Sequence, residues 1–323
     1  MPAGYRGGGG VVGDVIVSGF DPRTVDKVER LLDLLEEMNA HPDLHGKLAM
    51  HGGTAINLFM LDVPRLSVDI DVSYIGAVGR DEMLAERPAI ERGIEEVARY
   101  LGYDVPPTKS EHAGRTFMLR YLGDRGPDHV KVDCVFLNRS PLTAPIMRAC
   151  AIRPEAEVLM FCDHELAGGK VKAFFDRVKV RDLYDVSNLG RLLEAASEEE
   201  ELRAHRAMLY YASLSARFPQ PLEGRSERFA GRDDEVASQL VPMLRKADEQ
   251  PTLEQLIDEA EEFIRKRILP RTDDEAEYLR RFADGDYRPE LLFPDENMAD
   301  AARKSPAALW KLRNLNKMPR EES

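Results

Sequence analysis

Gly52-Gly53-Thr54-Ala55-Ile56-Asn57-Leu58, followed by Arg65-Leu66-Ser67-Val68-Asp69-Ile70-Asp71, is the stretch on which the reading of this chain turns. Residues 47–51 suit a short strand, and the two glycines after it let the backbone take positive φ or approach a ligand closely. Thr54 is then expected to cap a helix running to about Leu61, whose free N–H groups and positive dipole end would face a phosphate. Residues 68–74 alternate apolar and polar, and successive strand side chains point to opposite faces, so Asp69 and Asp71 share a face. Their hard oxygen ligands suit Mg²⁺, or Mn²⁺ in its place, with water and substrate phosphates completing the shell. Taken singly, the turn is common and the carboxylate pair reads as a solvated strand face. In this order they describe a site for a nucleoside triphosphate and its metal.

A third carboxylate stands on a second strand pattern, residues 130–137, where Val130, Val132, Cys134 and Phe136 face one way and Lys131 and Asp133 the other. Beside the first strand, Asp133 would complete a two-metal clamp or act as base toward an attacking hydroxyl; at a sheet edge it would be only a surface charge. Further on, Lys170, Ala173 and Arg177 have the spacing of a single helical stripe, followed by Arg181-Asp182-Leu183-Tyr184-Asp185. Lys170 as a point charge and Arg177 or Arg181 as a forked donor suit phosphate oxygens. The competing reading is a solvated basic face tied to Asp182 and Asp185 by ion pairs.

With these motifs in place the chain resembles the AbiEii family of nucleotidyltransferase toxins, which includes the MenT-type toxins. The residues that carry the resemblance are Gly52-Gly53-Thr54 with Leu58, Arg65-x-Ser67-x-Asp69-x-Asp71, Lys131-x-Asp133, and Lys170-x-x-Ala173-x-x-x-Arg177-x-x-x-Arg181-Asp182-x-Tyr184-Asp185. Residues 289–293 and 310–315 resemble the family's closing segment, so the likeness spans roughly residues 45–315. It implies an α/β (α+β) nucleotidyltransferase fold with a small mixed sheet, followed by a mostly helical C-terminal domain. It also implies Mg²⁺-dependent transfer of a nucleotide from a nucleoside triphosphate, in characterised members to the 3′ end of a tRNA, and a cognate antitoxin encoded nearby. By the same carry-over Asp69 and Asp71 hold metal with Asp133 beside them, and Gly52, Gly53, Thr54, Arg65, Ser67, Lys170, Arg177 and Arg181 bind nucleotide. Asp185 is a further essential carboxylate, and Ser67 matches a position that is phosphorylated in some relatives.

The rest of the sequence is compatible with that expectation. The formal charge of −13 argues against indiscriminate nucleic-acid binding, so an RNA acceptor needs a local basic surface. Arg115, Arg120, Arg125, Lys131, Arg139, Arg148 and Arg153, then Lys170, Lys172, Arg177, Lys179 and Arg181, form the richest cationic stretch. Cys134, Cys150 and Cys162 lack metal or disulfide spacing, and the seven histidines lack zinc spacing. Residues 1–10 lack the apolar run of a signal peptide and no segment reaches membrane-spanning length, which points to the cytoplasm.

Asp21-Pro22 is expected to open an amphipathic helix, residues 83–101 to form another, and residues 116–122 and 130–137 to be strands. A catalytic domain over residues 1–160 and a helical domain over 161–323 follow, with the active site in the cleft between them. A small-molecule or protein hydroxyl as acceptor, and a non-catalytic relative serving as a binding partner, are the alternatives to RNA transfer.

Overall fold

Asp21 accepts hydrogen bonds from the N–H groups of Arg23 and Thr24, and with Pro22 in the first turn it opens α1 (Pro22–Ala40) as the sequence predicts. Its stripe of Val28, Leu31, Leu32, Leu35 and Met38 is buried against the sheet, where it meets β4 and β6 described below. The computed structural model describes residues 16–224 and 226–315, so the glycine-rich opening at residues 1–10 lies outside the described residues.

Strand β1 (Leu48–His51) runs into a one-turn helix, α2 (Gly52–Thr54), which continues as a π-helical turn over Ala55–Met60. Strand β2 (Asp69–Tyr74), helix α3 (Arg80–Tyr100) and the hairpin β3 (Gly114–Gly123) and β4 (Gly126–Val135) follow. The short strands β5 (Ile146–Ala149) and β6 (Glu157–Met160) complete a six-stranded mixed sheet of order β3-β4-β2-β1-β6-β5. Pairings β1–β2, β3–β4 and β5–β6 are antiparallel, while β2–β4 and β1–β6 are parallel. The remainder is helical: α4 (Asp163–Asp176), α5 (Val180–Glu194), α6 (Glu198–Ser213), α7 (Leu253–Arg267), α8 (Asp273–Ala283), α9 (Glu296–Lys304) and α10 (Pro306–Leu315), with short turns between.

One apolar cluster runs from Phe20 to Ile268 and takes in side chains on both sides of residue 160. Fully buried members such as Leu31, Ile70 and Val132 each contribute ~1.5–3 kcal/mol. A second cluster gathers Tyr210, Tyr278, Phe282, Phe293 and Leu315 with Leu142.

Local readings need three corrections. Thr54 is not an N-cap: His51 holds that position without a side-chain bond, and the buried Thr54 hydroxyl instead reaches the Asp69 carbonyl and the Ser67 hydroxyl. The 170–177 stripe is not one helix, because α4 ends at Asp176 and Arg177 is extended, with its N–H closing on the Ala173 carbonyl. The sequence does not signal β5 and β6, because each is only four residues long and the pair joins the sheet through β1, far upstream of β6.

Candidate active site

The side chains of β2 alternate as expected: Ile70 and Val72 are buried in the core, and Asp69 and Asp71 are partly exposed on the other face. Register then sets up a row across three strands, with His51 of β1 opposite Asp71 and Asp71 opposite Asp133 of β4. Asp133 is therefore beside the pair, as the sequence allowed. It is held there by the Lys131 ammonium and by the Thr116 hydroxyl, which donates to it.

Gly52 closes this row. Its φ of +77° belongs to the left-handed region, and an added Cβ would occupy the space of the Asp71 carboxylate. Main chain thus reaches the acid more closely than any other residue type permits. Gly53 packs in turn against the Arg65 guanidinium, where a Cβ would lie 3.1 Å from Nη2, and against Ser67.

Burial raises the pKa of Asp71, and the like charges of Asp133 and Asp69 raise it further, against the opposing pull of His51 and Lys131. Burial also lowers His51, so its imidazole is a weak counter-charge. That ring stacks on Phe161, and its Nε2 is buried without a partner. Lys131 is kept charged by Asp133, Asp69 and Asp71 despite its own burial. Among the described residues no three His, Cys, Asp or Glu side chains converge as a ready-made metal cage. Two or three carboxylates with too little positive charge still fit Mg²⁺, which takes one or two carboxylates and keeps open positions for water and phosphate.

A cavity of about 250 Å³ opens beside the row, lined by His51, Gly52 and Asp71 on one side and by Gly169, Lys170, Ala173 and Arg177 on the other. Asn138, Glu165, Lys172, Asp176 and Tyr211 also line it. Sequence reasoning missed Asn138, Glu165, Asp176 and Tyr211, since nothing in their spacing brings them to the glycine turn; it placed Lys172 only in the basic stretch and gave His51, beside the turn, no metal role.

Behind the cavity lies a second group of charges. Asp185 is fully buried and takes a forked pair of bonds from Arg65, Nε to Oδ1 and Nη2 to Oδ2, both 2.7 Å. Lys170 Nζ lies 2.6 Å from Asp185 and 3.0 Å from Asp182, and Arg177 Nε donates to Asp182 at 2.8 Å. Burial opposes the charge of Asp185, yet Arg65 and Lys170 hold its carboxyl well below the usual range. Asn57 bridges this group to the glycine turn, donating to the Gly53 carbonyl and to Asp185. Tyr184 donates to the Pro64 carbonyl, which seats the turn entering Arg65. The Arg-Asp-x-Tyr-Asp motif thus grips the Arg65 segment.

The ion-paired reading of the 170–185 segment is therefore correct in its partners and wrong in its setting, because Lys170, Asp182 and Asp185 are buried and Arg177 alone of this ion-paired set is exposed. Arg181, also expected here, is half-buried and does not line the cavity. Much of the basic stretch is engaged elsewhere: Arg115 pairs with Glu91 and Glu95, Arg148 with Asp163, Arg153 with Asp33 and Glu36, and buried Arg139 donates to the Val78 and Phe136 carbonyls.

The mixed sheet, with main chain closing on a strand carboxylate pair beside a small cavity, has the architecture of the nucleotidyltransferase fold. The profile of the family described as the nucleotidyl transferase AbiEii toxin of type IV toxin–antitoxin systems matches residues 33–292, and the chain belongs to that family. Its fold is similar to that of MenT4, a nucleotidyltransferase toxin of Mycobacterium tuberculosis, at 16% identity and a TM-score of 0.52, covering 91% of this chain and 99% of that one. JHP933 of Helicobacter pylori is a further similar structure, at 14% identity and a TM-score of 0.47 over 76% of this chain and 92% of that one. No curated protein matches the chain. Family membership makes the chain a toxin-type transferase with an antitoxin as partner. Among the described residues no helix is long and apolar enough to cross a membrane.

Proposed function

We propose that the protein transfers a nucleoside monophosphate from a nucleoside triphosphate to the 3′ end of a tRNA in the cytoplasm, stopping translation and growth. The observation that carries this reading is the in-register row of Asp71 and Asp133 beside Asp69, with the Gly52 main chain pressed against it. A divalent cation, Mg²⁺ or Mn²⁺, held by Asp69 and Asp71 with Asp133 at its side, would supply charge neutralisation at the reacting phosphate. The N–H groups after Gly52 and Gly53 receive phosphate oxygens at the start of α2. Arg177, and Lys172 on the same cavity wall, hold the outer phosphates.

Lys170, Arg65 and Asp185 act one layer back: they fix the glycine turn and Arg177 in place, and Lys170 presents the cavity with charge that Asp182 and Asp185 already share. The Thr54 and Ser67 hydroxyls lock the turn to β2. In the reaction the acceptor oxygen bonds to the α-phosphorus as the α–β bridging bond breaks, pyrophosphate leaves with that electron pair, and Asp133 takes the hydroxyl proton.

Purified protein incubated with Mg²⁺, each labelled nucleoside triphosphate in turn and total bacterial tRNA tests the reading, beside Asp69→Ala. Label on tRNA with the unmodified enzyme alone is the expected result. Label on a protein or small molecule would replace the acceptor, and equal label with Asp69→Ala would sink the metal assignment.

A further inference from the structure

A second cavity, about 590 Å³, lies away from the carboxylate row, between residues 141–144, the first turns of α6 and the segment entering α9. We infer that it seats a nucleotide of the RNA acceptor strand, with Arg206 and Arg203 on its phosphates. The inference rests on the reading above that the acceptor is RNA.

Position is the first argument. The N–H groups of Leu142 and Thr143, on the wall of the large cavity, donate to the two carboxylate oxygens of Glu165, a residue that lines the catalytic cavity. Tyr211, also in the catalytic wall, donates to the same carboxylate from α6, the helix that carries Arg203 and Arg206 into the large cavity. The two spaces therefore stand back to back across one side chain. The catalytic cavity, about 250 Å³, has room for the reacting groups but not for a length of polynucleotide, so the acceptor strand behind its terminal hydroxyl needs a surface outside it.

Charge is the second. Arg203 and Arg206 are three residues apart and so share a face of α6. Of the acids around them, Glu199 is bonded to Arg203 at 2.9 Å, and Asp295 accepts from the Met298 N–H as the cap of α9. Half-buried Arg206 has no ion pair or hydrogen bond among the described residues. A guanidinium that lines the cavity without an ion pair among the described residues is suited to a phosphate.

Lining chemistry is the third. Leu142, Leu202, Phe293 and Met298 offer apolar surface to the face of a base, and Thr143 and Asn297 offer donors and acceptors to its edge.

The test compares Arg206→Ala, Arg203→Ala and the rim substitution Leu202→Glu with the unmodified protein, using Arg265→Ala, an exposed arginine outside the cavity, as control. Two quantities are read: KM for tRNA and for the nucleoside triphosphate in transfer, and the affinity of a fluorescent single-stranded CCA-ended RNA across a salt series. Arg206→Ala is expected to raise the tRNA KM about tenfold with the triphosphate KM unchanged. It should also flatten the dependence of log affinity on log salt by about 0.7, the loss of one single-strand phosphate contact. Leu202→Glu should act in the same direction, and Arg265→Ala should do nothing.

Unchanged RNA affinity in all three cavity variants would overturn the inference, as would an equal rise in both KM values. Unchanged RNA affinity with lost neutralisation by the antitoxin would assign the cavity to a protein partner instead. If the unmodified protein binds the RNA but does not label it, and Arg206→Ala abolishes binding, the cavity stands and the transfer reading falls.

Discussion

Two groups of charge lie within a few residues of each other and differ in one respect. Around Asp185 three cations, Arg65, Lys170 and Arg177, face two carboxylates, Asp182 and Asp185, and almost every bond is short and buried. Along the β2–β4 row three carboxylates, Asp69, Asp71 and Asp133, face Lys131 and an imidazole that burial keeps neutral. Arg65 and Lys170 hold Asp185 ionised against its burial, whereas burial and the like charges of Asp133 and Asp69 push Asp71 toward its protonated form. The buried part of the first group, Arg65, Lys170, Asp182 and Asp185, is paired within itself and stabilises the scaffold, while the exposed guanidinium of Arg177 also lines the cavity. The second carries more negative charge than its neighbours offset, the pattern that a bound divalent cation would complete.

The sharpest way to break this contrast is to remove one acid from each group. Asp71→Ala should lower transfer about 10³-fold, the several kcal/mol of charge stabilisation that a bound metal supplies, while stability to urea holds or rises because a poorly compensated charge is gone. Loss of fold instead would place Asp71 with the scaffold. Asp185→Asn should do the opposite in stability, costing on the order of 3–5 kcal/mol because Arg65 and Lys170 are left buried and poorly paired. A urea midpoint close to that of the unmodified protein would show that the group is dispensable.

A third probe is Glu165, the buried carboxylate between the two cavities, whose pKa burial pushes up to about 7 against its three donors. Between the ordinary 4.5 and about 7 the folded chain retains a proton that the unfolded chain has released, so this group makes stability fall as pH rises through that window. The contribution amounts to at most about 3 kcal/mol. Glu165→Gln should flatten the slope between pH 5 and 7, and an unaltered slope would show that Glu165 is ionised throughout.

The smallest effect distinguishes the groups by ligand. Mg²⁺ at tenfold excess over its Kd should stabilise the unmodified protein by about 1.4 kcal/mol and leave Asp71→Ala unmoved. Equal Mg²⁺ shifts in both proteins would place the ion elsewhere.

Much of the catalytic face was legible in the residues themselves. Strand alternation put Asp69 and Asp71 on one side, and the patterning of residues 130–137 separated Asp133 from the buried Cys134. The glycine turn was legible because few other residues accept a φ of +77°. Helix α1 was legible through its cap and its 3.6-residue period. Thr54 misled because a hydroxyl before an apolar run has the signature of a cap, whereas burial gave it partners at Asp69 of β2 and at Ser67 just before that strand.

What the sequence by itself determined is the set of local geometries, because strand alternation, turn chemistry and helical period depend on neighbours within a few positions. Only the tertiary structure decided which charges have partners. Arg65 and Asp185 are 120 residues apart, and whether such an arginine holds a phosphate or a carboxylate depends on which one packing brings to 2.7 Å. The same holds for Lys170, read as a phosphate ligand from its place on a helix and found between two buried acids. It holds too for Arg206, whose lack of an ion pair among the described residues is visible only once α6 lies along its cavity. Side-chain charge is written in the sequence, but its compensation is a property of distance through space, and the Coulomb energy that decides it falls with that distance and grows with burial.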